Sequence, residues 1–265
     1  MSSGEEKMNK YIKNLNRIEF VVTMACTGKC KHCSQGEHKG SESIKKRVAA
    51  DAVKKIAAEY NIESVMTFGG EPLLFPDTVC EIHKAATEMN IPKRQLITNG
   101  YFSKDYDKIR CVAEKLYESG VNELLLSVDA FHQETIPLEF VKAFASAVRE
   151  KGVTLKLHPA WLQSPDADNV YNNKTRELLA EFDGVEISEG NIIFPSGNAL
   201  KYLGEYFDTR KKQKNPYDED PRDIKAICFS ANGDILGSNV YEKDICEILS
   251  EYNPKLSVFS LLKNK

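Results

Sequence analysis

The sequence predicts an α/β fold: a partial (β/α)6 TIM-like barrel followed by a short C-terminal β-hairpin extension. Short apolar runs alternate six times with amphipathic stretches, the pattern of βα units on a parallel sheet. The alternating region, residues 17–205, also has the length of roughly 190 residues that six units require when eight take about 250. A flat, doubly wound sheet of six strands needs a similar length, so length alone leaves that alternative open. Residues 1–16 read as an N-terminal tail, 17–205 as the core barrel, and 206–265 as a linker and C-terminal extension.

Each unit is legible in turn. Ile18 to Met24 is the first apolar run, and Val53, Ile56, Ala57 and Tyr60 then form an i, i+3, i+4, i+7 helical stripe. Ser64 to Phe68 reads as the second strand, and Val79, Ile82, Ala86 and Met89 share one face of the helix after it. The third strand is Gln95 to Thr98. Its helix buries Ile109, Val112, Ala113 and Leu116 and stops at Gly120, a residue that tolerates a left-handed turn. Glu123 to Val128 is the fourth strand, followed by a stripe of Val141, Phe144, Ala145 and Val148 that ends at Gly152. Val153 to His158 is the fifth strand, with a shorter helix over Thr175 to Phe182. Val185 to Phe194 holds the sixth, interrupted near Gly190. Periodicity then breaks in a charged stretch, Asp208 to Arg222, and a hairpin is expected around Ala231-Asn232-Gly233-Asp234.

Composition narrows the function. Of the 265 residues 42% are hydrophobic and 28% charged, with a mean hydropathy of −0.42 and a pI near 6.0. The net charge of −3 supplies no basic field for nucleic acid or an anionic membrane surface. No apolar run approaches a bilayer span, and residues 1–16 lack the apolar stretch of a secretory signal. Cytoplasmic residence is the expectation. Seven cysteines, an odd number with uneven spacing, do not read as a disulfide framework.

Three of those cysteines form Cys26-Thr-Gly-Lys-Cys30-Lys-His-Cys33. In a chain of this composition such a pattern arises by chance on the order of 0.005 times, so it reads as a metal-binding or catalytic loop. Thiolates suit zinc or iron–sulfur clusters. A closed cluster takes four cysteines, and a loop supplying three leaves one iron open to another ligand. The alternative is a Cys3His zinc site in a non-catalytic protein, with His32 or His38 as fourth ligand.

In parallel α/β folds, ligands bind at the carboxyl ends of the strands. The cysteine loop follows strand one, and Gly69-Gly70-Glu71-Pro72 follows strand two. Thr98-Asn99-Gly100 and Ser127-Val-Asp129-Ala-Phe-His132 end strands three and four. His158-Pro159 and Pro195-Ser-Gly197-Asn198 end the last two. Six polar or glycine-rich segments thus meet at one rim. Each has a plainer reading: a tight turn at Gly69-Gly70, a helix cap at Asp129, rim histidines at His132 and His158.

The C-x3-C-x2-C triplet after strand one, with Gly-Gly-Glu-Pro after strand two, resembles the radical SAM family over roughly residues 18–200. That resemblance implies a partial (β/α)6 barrel, a 4Fe–4S cluster and S-adenosylmethionine. It assigns Cys26, Cys30 and Cys33 to three irons and Gly69, Gly70 and Glu71 to the methionine amino group. Thr98, with its neighbour Asn99, and Ser127 and Asp129 fall to the methionine carboxylate or ribose, and Pro195 to Gly197 to a segment near the cofactor. It further implies oxidoreductase-type or rearranging chemistry. The 5′-deoxyadenosyl radical would act on a small-molecule or peptide substrate, and a low-potential donor such as flavodoxin or ferredoxin would supply the electron. A glycyl-radical-enzyme activase is a second enzymatic reading. One departure is His32, where many members carry an aromatic before the third cysteine.

Cys80 and Cys111 fall in helical stretches and read as small buried hydrophobes. Cys228 and Cys246 flank the expected hairpin, in a setting that resembles the start of auxiliary-cluster (SPASM/twitch-like) extensions. Two cysteines cannot close a second cluster unaided, so this region reads as a degenerate or structural cap. The basic run Arg210 to Lys214 is offset by acids just downstream and reads as solvated linker.

Overall fold

In the computed structural model, which describes residues 8–36, 40–208 and 219–254, side-chain alternation along the strands separates two faces of one sheet. Along β1 (Arg17–Val21), Ile18 and Phe20 are fully buried, whereas Arg17 and Glu19 point the other way and pair with each other at 2.6 Å. The chain continues through α1 (Lys46–Glu59), β2 (Ser64–Phe68), a 3-10 turn at Pro72–Leu74, α2 (Pro76–Glu88), β3 (Lys93–Thr98), α3 (Tyr106–Glu118) and β4 (Glu123–Leu126). Next come α4 (Ala130–Gln133), α5 (Leu138–Glu150), β5 (Thr154–Leu157), β6 (Ala160–Trp161), α6 (Val170–Leu179), β7 (Glu186–Ile187), β8 (Asn191–Ile192) and α7 (Gly197–Tyr202). After the linker lie β9 (Ala226–Phe229), β10 (Asp234–Ile235), β11 (Ser238–Asn239) and α8 (Ile245–Glu251).

Seven strands form one parallel sheet in the order β7-β5-β4-β3-β2-β1-β9. From β1 to β7 the order never reverses. Right-handed crossovers that always step the same way place every helix on one face, whereas a doubly wound sheet reverses at a switch point. The sheet is therefore the open, barrel-type alternative, with β7 and β9 as its edges. On the helix side, Leu96, Leu124, Leu126 and Phe229 join Val53, Ile56, Ile82, Leu116 and Phe144 in the main core. The opposite face is mixed: Glu19, Met66, Gln95 and Glu123 occupy one row across four strands, and Val21, Phe68, Ile97 and Leu125 lie on the same face nearer the carboxyl ends.

Four segments differ from expectation. The first strand ends at Val21, because Thr23 leaves the sheet to bridge Ser43. The sixth run breaks at Gly190 (φ +72) as expected, where a Cβ would sit 2.2 Å from the Pro159 carbonyl oxygen, but its halves do not continue one strand: they pair separately, β7 with β5 and β8 with β6. Helix α6 starts earlier than the Thr175 stripe, at Val170, because the Asn169 side chain accepts hydrogen bonds from the Tyr171 and Asn172 N–H groups. That polar first turn has no apolar stripe to betray it.

The fourth concerns the extension. Its first run, Ala226–Phe229, is a seventh parallel strand beside β1, anchored by Phe229 stacked on Phe20 at 4.7 Å. Ala231 to Asp234 turns the chain from β9 into β10, and the antiparallel hairpin is β10–β11 around Leu236 and Gly237, both at positive φ. The described part of the N-terminal segment is packed as well: Ile12 and Leu15 are buried, and Asn9 Nδ2 donates to the Leu249 and Tyr252 carbonyls. The basic linker run, Arg210 to Lys214, lies outside the described residues, as does His38. Among the described residues no helix is long and apolar enough to cross a membrane.

Between β2 and α2, His83 is fully buried with Nε2 2.9 Å from Thr67 Oγ1. Burial, reinforced by the charge of Arg94, lowers its pKa from 6.5 to about 3. The unfolded chain therefore binds a proton that the folded chain refuses. This stability is intact above pH 6.5 and falls by about 1.4 kcal/mol for each unit of acidification below it, until the folded value is reached. Between pH 7 and pH 4.5 buried His32 adds to this loss and buried Glu71 opposes it, so the reading is the difference between variants: the urea midpoint of His83→Gln should fall less with acidification than that of wild type, and an identical pH dependence would remove His83 as a contributor.

Candidate functional site

Sequence places three thiols within eight residues, and the fold fastens that loop from four directions. Within it, the Cys33 N–H donates to the Cys30 carbonyl and the Gly36 N–H to the Cys33 carbonyl, each at 3.3 Å. From the end of β2, the Gly70 N–H donates to the Thr23 carbonyl (2.8 Å) and the Glu71 N–H to that of Ala25 (2.7 Å). Gly69 has φ +144, and a Cβ on Gly70 would lie 2.1 Å from the Ala25 carbonyl oxygen. Only glycine permits this approach of two backbones.

From the end of β3, Asn99 Nδ2 donates to Thr27 Oγ1 (3.2 Å) and lies 3.7 Å from Cys26 Sγ. From beyond β4, Thr135 Oγ1 accepts from the Lys29 N–H and Glu134 pairs with Lys31 at 3.0 Å. The last direction is the start of α7. Asn198 donates through its backbone N–H to the Cys33 carbonyl and through Nδ2 to that of Cys30, while Ser196 Oγ donates to Ser34. A Cβ at Gly197 would lie 2.5 Å from the Ser34 carbonyl oxygen.

Burial is the main force on the sulfurs. It raises Cys26 to about 11 despite the Gly28 N–H, raises Cys33 against the Gln35 and Gly36 amides, and lifts Cys30, with Asp129 nearby, further still. Such thiols stay protonated until a metal displaces the proton. The amide N–H groups near Cys26 and Cys33 are donors of the kind that hydrogen-bond cluster thiolates and tune them. One buried and two half-buried cysteines with these donors fit an iron–sulfur cluster.

The carboxylates serve the scaffold. Glu71, fully buried, accepts from Thr98 Oγ1 (2.7 Å), the Leu73 N–H (2.8 Å) and the Asn99 N–H (2.9 Å). Burial pushes it up to about 7 against those three donors. It ties the end of β2 to that of β3. Thr98 Oγ1 also accepts from the Gly100 N–H, and Ser127, buried next to it, donates its N–H to the Thr98 carbonyl.

Asp129 is fully buried. Oδ1 accepts from the Phe131 and His132 N–H groups, and Oδ2 takes the Ala160 N–H at 3.0 Å and the His132 ring Nδ1 at 2.7 Å. Burial would raise its carboxyl, but the His132 ring and these donors outweigh it and hold it well below the ordinary range. The capping role is thus real, and a second one, orienting His132, comes with it.

His132 stands edge-on to His32 at 4.7 Å between ring centroids, and His32 lies against Phe131 at 5.1 Å. His158 bonds Ser188 Oγ (2.8 Å) and Asn191 (2.9 Å), a satisfied rim histidine. Asn198 and Thr135 were not singled out by sequence reasoning, since a lone asparagine or threonine carries no pattern. Asn198's place in the polar Pro195–Asn198 segment was the available signal.

The remaining cysteines are dispersed. Cys80 on α2 packs against the core, but Cys111 on α3 is exposed rather than buried, because it falls off the Ile109-Val112-Ala113-Leu116 face. Ile227 and Phe229 point into the core, so Cys228 between them faces the opposite side of the sheet, in register with Glu19. Cys246 packs against the helix-side core. The sheet separates the two, so they cannot share a cluster.

Comparison with known proteins agrees with this architecture. The family model described as "Radical SAM superfamily" matches residues 20–157. A probable GTP 3′,8-cyclase of Saccharolobus islandicus is 26% identical over 221 residues, 76% of this chain and 67% of that protein. The corresponding protein of Methanocaldococcus jannaschii is 25% identical over 127 residues, covering 48% and 40%. Among solved structures, Streptococcus suis SuiB bound to S-adenosylmethionine superposes with a TM-score of 0.59 at 15% identity, over 92% of this chain and 67% of that one. Tagged anSMEcpe with bound AdoMet gives 0.59 at 16%, over 92% and 83%. At these identities the likeness bears on fold.

Proposed function

The chain belongs to the radical SAM superfamily, enzymes that bind a 4Fe–4S cluster and S-adenosylmethionine, and we propose that Cys26, Cys30 and Cys33 hold that cluster while the open face of the sheet receives a small-molecule or peptide substrate. The observation that carries this is the fastening of one three-cysteine loop by the segments after β2, β3, β4 and β8. When bound, the cluster supplies the electron that breaks the sulfonium C–S bond, giving methionine and a 5′-deoxyadenosyl radical for hydrogen abstraction.

This chain's residues would bind and orient. The carboxylates of Glu71 and Asp129 are already bonded to scaffold donors, so the Gly69–Glu71 segment would meet the methionine amino group through its backbone carbonyls. Asn99 would hold Cys26 and its loop in place. Thr98 and Ser127, at adjacent strand ends, would line the methionine carboxylate or ribose side, and Pro195 to Gly197 would close the cysteine loop near the adenosine. A substrate entering the open face would meet Val21, Phe68, Ile97 and Leu125 nearest the cysteine loop, with Glu19, Glu123 and Lys156 deeper, toward the amino ends of the strands, an apolar layer above a polar floor. A low-potential flavodoxin or ferredoxin would deliver the electron, in a cytoplasm that keeps the thiols reduced. The probable GTP 3′,8-cyclases and the peptide-bound SuiB favour neither substrate class over the other.

The test is anaerobic reconstitution followed by assay for 5′-deoxyadenosine with dithionite and S-adenosylmethionine. Wild type should bind about four irons per loop and release 5′-deoxyadenosine slowly without substrate, and Cys30→Ala should release none. Equal turnover in the two would overturn the assignment.

A further inference from the structure

Cys30, His32 and His132 each offer one ligand atom to a common space, and the three atoms lie within 4.8 Å of one another. We propose that these three residues form a mononuclear metal site that takes one zinc or ferrous ion when the cluster is absent. The donor set is one thiolate and two imidazoles, a combination suited to either ion.

Three features beyond proximity point to a metal. His132 is held by the fully buried Asp129, whose Oδ2 lies 2.7 Å from Nδ1, which leaves Nε2 as the nitrogen free to coordinate. A carboxylate behind a ligating imidazole fixes its tautomer and raises its basicity. Second, His32 Nδ1 is shut off from solvent and has no hydrogen-bond partner among the described residues, the condition of a nitrogen waiting for a ligand. Third, Phe131 packs behind His32 and Cys30 is buried, so little solvent reaches these ligand atoms to compete with an ion.

A tetrahedral ion with bonds of about 2.0–2.3 Å spaces its ligand atoms about 3.3–3.8 Å apart. The site must therefore contract by about 1 Å, within reach of side-chain rotation. The proton balance is simple: the ion displaces the Cys30 thiol proton, both histidines bind neutral, and solvent fills the fourth position. Because Cys30 is shared, ion and cluster exclude each other; that competition, though not the site itself, rests on the cluster assignment above.

Cobalt(II) is the probe, titrated anaerobically into the metal-free protein. One equivalent should bind with the intense visible bands of a four-coordinate site and one thiolate-to-cobalt charge-transfer band. The double variant Cys26→Ser/Cys33→Ser should keep this spectrum, and Cys30→Ser should lose the charge-transfer band. His32→Gln and His132→Gln should each weaken cobalt binding by at least about tenfold, with near-ultraviolet circular dichroism confirming that they fold. Loss of the site in the double cysteine variant, or unchanged affinity in both histidine variants, would overturn the proposal. Formation of 5′-deoxyadenosine by reconstituted wild type is measured separately, so failure of either reading is told apart from failure of the other.

Discussion

Replacing Gly70 by alanine is expected to strip the protein of its iron while most of the fold survives. The new methyl group would lie 2.1 Å from the Ala25 carbonyl oxygen and 2.7 Å from its carbon. Both are backbone atoms, so no rotamer change relieves the overlap. Either the loop or the end of β2 must move, and the hydrogen bonds from Gly70 to Thr23 and from Glu71 to Ala25 move with it. Overpacking of this kind costs about 1–3 kcal/mol, less than the roughly 5–15 kcal/mol by which a folded domain is stable, but the displacement begins one residue from Cys26. Iron should drop from about four per chain to below one, and 5′-deoxyadenosine should vanish with it. Gly152 is the control: its φ of +84 strains an alanine by about 1–2 kcal/mol, yet no atom lies within 4 Å of the added Cβ. Gly152→Ala should cost stability alone. Full iron in Gly70→Ala would show that the loop is not clamped as described.

Asp129→Asn is expected to destabilise the protein before it touches cofactor affinity. Asparagine keeps one oxygen for the Phe131 and His132 N–H groups, but its amide then faces the Ala160 N–H and His132 Nδ1. A buried N–H loses its acceptor, which costs about 1–3 kcal/mol; at this chain length that shifts Tm by about 2–4 °C per kcal/mol. Asp129→Ala, which abandons all four contacts, should cost about 3–5 kcal/mol. If Asp129 instead served mainly to hold ribose, Asp129→Asn would leave the denaturant midpoint unchanged and raise only the dissociation constant for S-adenosylmethionine. The pH dependence offers a second reading. Asp129's folded carboxyl lies below its ordinary value of 3.8, so its contribution is complete above that value and is lost as pH falls through the folded one. Asp129→Asn should flatten the acid limb below pH 4 and leave in place the His83 contribution, which begins at pH 6.5.

Reading the strands from sequence succeeded where side chains alternate or run apolar between turn residues, as in Ser64–Phe68, which coincides with β2. It failed where the deciding partner is distant. Ala226–Phe229 looks like the first half of a hairpin because Asn232-Gly233 follows it, yet Phe229 stacks on Phe20 and draws the run into the main sheet. Glu71 and Asp129 have the residue type expected of ligand contacts, but burial with several N–H donors made both into struts. A sequence shows that a carboxylate stands at a strand end, not which amides will surround it.

Covalent spacing and the chemistry of side chains were enough to reveal the three-cysteine loop and the glycine pair, each written within a few consecutive residues and together carrying the family resemblance, while local periodicity revealed the βα alternation. Packing across the sheet decided the rest: the seventh strand, the separation of Cys228 from Cys246, and the meeting of His132 with Cys30 and His32. Those outcomes depend on contacts between residues far apart in the chain, whose energies exist only once the strands have taken their order.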